Sequence, residues 1–145
     1  MYAESTKFVR TDGKNRDWWI VDAKGKVLGR LASRISHYLM GKHKPIWSHD
    51  ADVGDFVVVI NCKDVILTGR KLRQKIYYRH SQFPGGLKAT SAFELLEKHP
   101  ERLIKFAVNG MLPKNFTRKK IMKRLKVYPD VNHPHTAQKL KELKI

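Results

Sequence analysis

Near the middle of the chain, Phe56-Val57-Val58-Val59-Ile60 places five apolar side chains in a row, with Asn61 behind them. A strand turns successive side chains to opposite faces, so an apolar run without alternation describes a strand covered on both faces, as in a parallel sheet. Helices are therefore expected on either side of it. Trp18-Trp19-Ile20-Val21-Asp22 is aromatic and β-branched and reads as a second strand, closed by a turn at Ala23-Lys24-Gly25-Lys26. From Leu28 the period changes. Leu28, Leu31, Ile35 and Leu39 share one helical stripe, and Arg30, Ser33, Arg34 and His37 share another. This predicts an amphipathic helix with a basic outer face, ended at Gly41.

The rest of the chain continues the mixture. Val65-Ile66-Leu67 is a short apolar run that stops at Thr68-Gly69, Arg70-Lys71-Leu72-Arg73-Gln74-Lys75 reads as a basic loop, and Lys75 to His80 as a strand with basic ends. Pro84-Gly85-Gly86 interrupts regular structure. Ser91 and Glu94 have capping-box spacing ahead of Leu95 and Leu96. Pro100 suits the first turn of a further helix, in which Leu103, Ala107 and Met111 form a stripe with Ile104 and Val108 alongside, ending at or before Pro113. Ile121, Met122 and Leu125 give the following basic segment an inner face. The expected organisation is a polar N-terminal arm over 1–16, a single α/β domain over 17–128 with a basic C-terminal helix, and an extended tail over 129–145.

Charge is what this chain has in excess. Its 145 residues hold 30 Lys and Arg against 13 Asp and Glu, a formal net charge of +17. The positive residues are clustered: Lys42-His43-Lys44, Arg70 to Arg79, and above all Lys114, Arg118, Lys119, Lys120, Lys123, Arg124 and Lys126, with no acid among the last group. Solvation does not explain clustering of one sign, whereas a polyanion that neutralises the cluster and releases its counterions does. Lys139 to Lys144 is expected to be a solvated face. Trp47, Tyr77, Tyr78, Phe83 and Phe116 lie in or beside the basic segments, where an exposed ring can stack on an unpaired base, although inward packing is the commoner fate of such a ring.

Other chemistries find little support. Asp22, Asp50, Asp52, Asp55 and Asp64 sit where aspartate ordinarily bonds local backbone. His49, Asp50 and Asp52, like His133 and His135, lack metal-ligand spacing, and no second cysteine joins Cys62. Cys62 follows a buried strand and reads as a small core residue in a reducing compartment. The glycine pairs match neither phosphate-loop nor dinucleotide fingerprints. No cofactor, metal or small-molecule substrate is expected. No apolar run reaches the roughly 18 residues of a membrane span, and the stretch around Glu4 and Asp12 has no secretory apolar core, so an intracellular soluble protein is expected.

A collinear series of short segments carries a family resemblance. It runs through Trp18 to Ala23, Leu28-Gly29-Arg30-Leu31-Ala32-Ser33, Gly41-Lys42-His43-Lys44, Gly54 to Asn61, Leu67-Thr68-Gly69, Tyr77-Tyr78-Arg79-His80-Ser81 and Pro84 to Lys88. It continues with Pro100-Glu101-Arg102, Gly110-Met111-Leu112-Pro113-Lys114, Leu125-Lys126-Val127-Tyr128 and His133 to Gln138. Over about 17–138 the chain resembles ribosomal protein thirteen of the bacterial-type large subunit. It departs from that family's pattern at Ser48-His49-Asp50, Phe116-Thr117-Arg118 and Pro129-Asp130.

The resemblance implies a three-layer α/β/α fold with a small, mostly parallel four-stranded sheet and basic extensions. It also implies a non-enzymatic ribosomal component that binds large-subunit ribosomal RNA, touches neighbouring large-subunit proteins and supports subunit assembly. The expected place is the ribosome, in the bacterial cytoplasm or in an organelle. Carried onto this chain, it makes Gly110-Met111-Leu112-Pro113 the turn that aims the basic helix, and Lys114, Arg118, Lys119, Lys123 and Arg124 phosphate contacts. Lys42, His43 and Lys44 do the same at the end of the first helix, with Arg79 and His80 near the Pro84-Gly85-Gly86 loop. From the charge clusters themselves, Arg30, Arg34, Arg70, Lys71, Arg73, Lys75 and Lys120 join the candidate RNA contacts. The rival reading from composition is a general architectural binder of DNA or RNA.

Overall fold

The strand at Phe56–Ile60 (β2) lies inside a four-stranded sheet with Trp18–Asp22 (β1), Leu125–Val127 (β5) and Leu140–Glu142 (β6), in the order β5-β2-β1-β6, with every pairing parallel. These relations come from a computed structural model that describes residues 16–143. The arm expected over 1–16 therefore lies outside the described residues apart from Arg16.

Strand order fixes where the connections run. The steps β1 to β2 and β2 to β5 go the same way across the sheet, so right-handed crossovers put both connections on one face. On that face lie Leu28–Met40 (α1) and Pro100–Met111 (α4), packed against each other. Val21, Val57 and Val59 point at them and join Leu31, Ile35, Leu39, Leu103, Ile104 and Val108 in the core. The return from β5 to β6 crosses back over the sheet, so segment 128–139 takes the other face, and His135 there approaches Trp18 with ring centroids 5.1 Å apart. Val58, fully buried, points to this side. Both faces of the run are thus covered, as its composition required, but helix covers one of them and irregular chain the other. Burial of each of the three valines is worth roughly 1.5–3 kcal/mol.

Local sequence explains the element ends. α1 stops where Gly41 takes φ 78°, its N–H bonding to Tyr38 O, and a Cβ there would lie 2.9 Å from Val53 Cγ2. Gly54 answers a tighter constraint, since its ideal Cβ would sit 1.8 Å from the Leu39 carbonyl oxygen. Loop 41–55 therefore folds back against the end of α1. Pro100 opens α4 at the position where a missing N–H costs nothing.

Between β2 and α4 the structure departs from expectation. The stretch read as a basic loop contains a one-turn helix, Lys71–Gln74 (α2). Ile76–His80 (β3) pairs antiparallel with Leu87–Ser91 (β4), forming a two-stranded hairpin outside the main sheet. Val65-Ile66-Leu67 contributes a single bridge, Ile66 to Val27, and no strand. Ser91 caps Ala92–Lys98 (α3), its hydroxyl accepting from Glu94 N–H at 3.1 Å, while the Glu94 carboxylate turns outward to Lys98. The basic helix is Thr117–Lys123 (α5). The chain after Tyr128, read as an extended tail, supplies β6, held by pairing to β1 and by burial of Leu143.

Candidate nucleic-acid interface

The cations fall into an inner and an outer set. At the centre of the inner set is Asp55, wholly buried one residue before β2. Its carboxylate accepts from Asp17 N–H at 3.0 Å and from Trp19 Nε1 at 3.0 Å, lies 2.8 Å from His43 Nε2, and pairs with Lys44. Burial alone would raise this carboxyl, but the bonds from Lys44, Trp19 and Asp17 hold it below the usual aspartate value. A second lock stands beside it. Arg124, only 3 % exposed, makes a bidentate pair with Asp52 at 2.7 and 2.6 Å and donates to the Leu39 carbonyl at 3.1 Å. Arg16 also donates to Asp52, at 3.2 Å to its backbone oxygen. Desolvation again pushes the Asp52 carboxyl up, and the Arg124 bond and charge outweigh it and bring it down.

Three of the expected RNA contacts thus also have partners inside the fold. Lys44 and Arg124 pair with buried or half-buried aspartates and His43 is hydrogen-bonded to Asp55, where leaving the aspartate unpaired would cost several kcal/mol. Together they tie loop 41–55 to β1, to α1 and to the end of α5.

The outer set lies at the surface. Arg30 and Arg34 stand exposed on α1, Lys42 on the loop after it, Arg70, Lys71, Arg73 and Lys75 around α2, and Arg79 and His80 on the hairpin. Lys114, Lys119, Lys120 and Lys123 are exposed along and before α5, with Arg118 half-buried. Among the described residues, none of these forms an ion pair with an acid, while Lys63, Lys98 and Lys141, outside the clusters, do. Local positive potential also reaches a histidine. His37 on α1 is held below its ordinary value, first by desolvation and then by His43, Lys42 and Arg34 around it.

The turn at Gly110-Met111-Leu112-Pro113 stands between the clusters. α4 ends at Met111, and Leu112 leaves it in extended conformation with its side chain buried. Asn115 then accepts from Arg118 N–H at 3.2 Å and Thr117 Oγ1 at 2.6 Å, starting α5 with a side-chain cap that the sequence reading overlooked. Met111 lines a cleft shared with Lys42 on one side and another shared with Lys71 and Lys75 on the other. A third cleft joins Arg16 to Lys120, Lys123 and Arg124. The first-helix cluster, the α2 cluster and α5 are thereby neighbours around one turn, although some 70 residues separate Lys42 from Lys114 in the sequence.

The aromatic side chains divide similarly. Tyr77 packs on Phe106 with ring centroids 5.5 Å apart and Trp47 meets His49 edge-on at 4.7 Å. Phe116 at 78 %, Phe83 at 72 % and Tyr78 at 65 % exposure remain open beside the outer cations. No group of His, Cys, Asp and Glu among the described residues is arranged to hold a metal. Tyr128 Oη lies 2.9 Å from His135 Nε2, which accounts for that histidine as a packing group. Cys62 is buried and its thiol is pushed up to about 11, chiefly by desolvation, so it is no activated nucleophile. No described helix is long and apolar enough to cross a membrane.

The described residues form a parallel α/β body with clusters of exposed cations that form no ion pair with an acid among them. Its family is plain from comparison: residues 16–134 match the model of the ribosomal protein L13 family, and the chain belongs to that family, whose members are structural ribosomal proteins and not enzymes. Large ribosomal subunit protein uL13 of Dictyoglomus thermophilum is 58% identical over 130 residues, covering 90% of this chain and 92% of the relative. The uL13 protein of Thermotoga petrophila is 56% identical over 136 residues, with 94% and 91% covered, and that of Pelobacter propionicus 54% over 138 residues, with 95% and 97% covered.

Proposed function

We propose that this chain is a component of the large ribosomal subunit in the bacterial cytoplasm, binding large-subunit ribosomal RNA through its outer cations and supporting subunit assembly beside neighbouring ribosomal proteins. The observation that carries the reading is the separation of the two cation sets: acids inside the fold pair with the inner one, and the outer one, of which Lys42, Lys71 and Lys75 line the clefts at Gly110 to Pro113, forms no ion pair with an acid among the described residues. Phosphate contacts by Lys and Arg position a protein on RNA and carry little sequence information. Selectivity then comes from the fit of a rigid body to a folded RNA, with Phe116, Tyr78 and Phe83 offered to unpaired bases. The domain unit that does this runs from about 17 to 128 together with β6.

Sedimentation of lysate with detection of the chain tests the proposal. It is expected in large-subunit particles, and Lys119→Glu with Lys123→Glu is expected to lower its incorporation while the isolated protein stays folded. Recovery only in the ribosome-free fraction, or equal affinity for duplex DNA and large-subunit RNA at matched salt, would favour the general nucleic-acid binder instead.

A further inference from the structure

Beside the turn that aims α5 is a cleft of about 360 Å³ that none of the phosphate contacts explains. Its floor is apolar, made by Met40, Met111, Leu112 and Ile121, and Met111 is left 44 % exposed there. Trp47 forms a wall. The indole is set before any ligand arrives, with His49 edge-on at 4.7 Å and the Lys42 ammonium 5.5 Å from the ring centroid. The mouth is charged in two senses. Lys42 stands on one side, and the neighbouring cleft, which shares Asp50, Asp52 and Thr117, brings Lys120 and Lys123 to the other. The Asp50 carboxylate, steadied by Ser48, is at the mouth itself.

We propose that this cleft receives one unpaired nucleobase of the bound RNA, stacked on Trp47, with Asp50 accepting from its exocyclic amine. The inference rests on the RNA-binding reading and adds to it a specific subsite. A phosphate does not suit the interior, whose floor is apolar and whose mouth holds the Asp50 carboxylate. A base does, because its flat face loses little on leaving water and its sugar-phosphate remains outside between Lys42 and the α5 lysines. A carboxylate placed to accept from an exocyclic amine favours cytosine, adenine or guanine over uracil, which has no amino group and could offer it only N3–H. The cleft is large enough for a ligand of this size.

The test uses the full chain and transcribed bacterial large-subunit ribosomal RNA, with affinity measured across a range of salt. Trp47→Ala is expected to bind about tenfold more weakly with an unchanged salt slope, since stacking releases no counterions. Trp47→Phe should keep most of the affinity, and Lys42→Gln should instead lower the slope by about one unit. Photocrosslinking of the unaltered chain, which needs no variant to fold, should place a nucleotide other than uridine on the peptide carrying Trp47. Binding by Trp47→Ala within twofold of the parent, or crosslinks confined to Phe116 and α5, would overturn the subsite and leave the RNA-binding reading intact, pointing to a protein side chain as the occupant. Failure of the unaltered chain to prefer this RNA over duplex DNA would remove the parent reading, and the subsite with it.

Discussion

The two cation sets use the same residue types for opposite ends. His43, Lys44 and Arg124 are held by Asp55 and Asp52 under loop 41–55, whereas Lys119, Lys120 and Lys123, within about a turn and a half of Arg124, meet no acid among the described residues. Charge in this protein is structural where it is buried and available where it is not. Position along the chain does not decide which. Arg124 directly follows Lys123, yet the turn of α5 carries one into the fold and leaves the other in solvent.

The comparison is easiest to break at its buried half. Asp55→Ala removes a buried acceptor for four donors and breaks the Lys44 pair, so unfolding in urea should show a loss of about 3–5 kcal/mol. Stability unchanged by that substitution would dissolve the distinction. Acid should act on the same locks. Asp52 and Asp55 both lie below their ordinary 3.8 in the folded state, so their contribution is complete above about pH 4 and is lost as the pH falls through the depressed values. The urea midpoint should hold from pH 7 to about 4.5 and drop below 4. A drop starting near 6.5 would point instead to His37 and His135, whose values are lowered by desolvation and which destabilise the fold when they must take up a proton.

The exposed half is sharpened by smaller effects. Lys119→Gln with Lys123→Gln should leave the thermal midpoint unchanged and lower the salt slope of RNA binding by about two units, and Lys120→Gln alone by about one. If either changed the midpoint as Asp55→Ala does, the outer cations would belong to the fold after all. Thiol labelling adds a control on the core: Cys62, raised to about 11, should react at pH 8 only under conditions that unfold the chain.

Much of the fold could be read from residues whose pattern is set by burial. Trp18–Asp22, Leu28–Met40 with its stop at Gly41, Phe56–Ile60 and Pro100–Met111 all match the expected elements, because one or both faces of each are packed against the core. The elements that were missed lack that imprint. Leu87–Ser91 is paired in an exposed hairpin with no core to enforce alternation, and Lys71–Gln74 is a single turn of mostly charged residues. Leu140–Glu142 was hidden in a run of lysines, and Lys141 there pairs with Asp17 at 2.9 Å. For the site, the clusters were visible and their division was not. Arg124 and Asp52 are 72 positions apart, and nothing in a string of lysines and arginines tells which cation a distant aspartate will claim.

The placing of Leu140–Glu142 beside β1 sets an order of events during synthesis. β1, β2 and β5 can assemble, with α1 and α4 over them, as soon as Val127 has emerged, but the outer edge of β1 then shows unpaired backbone donors and acceptors until more than a dozen further residues have been made. Nascent chains stalled in that interval carry an open template for pairing with another strand, closed once Leu140–Glu142 takes its place beside β1.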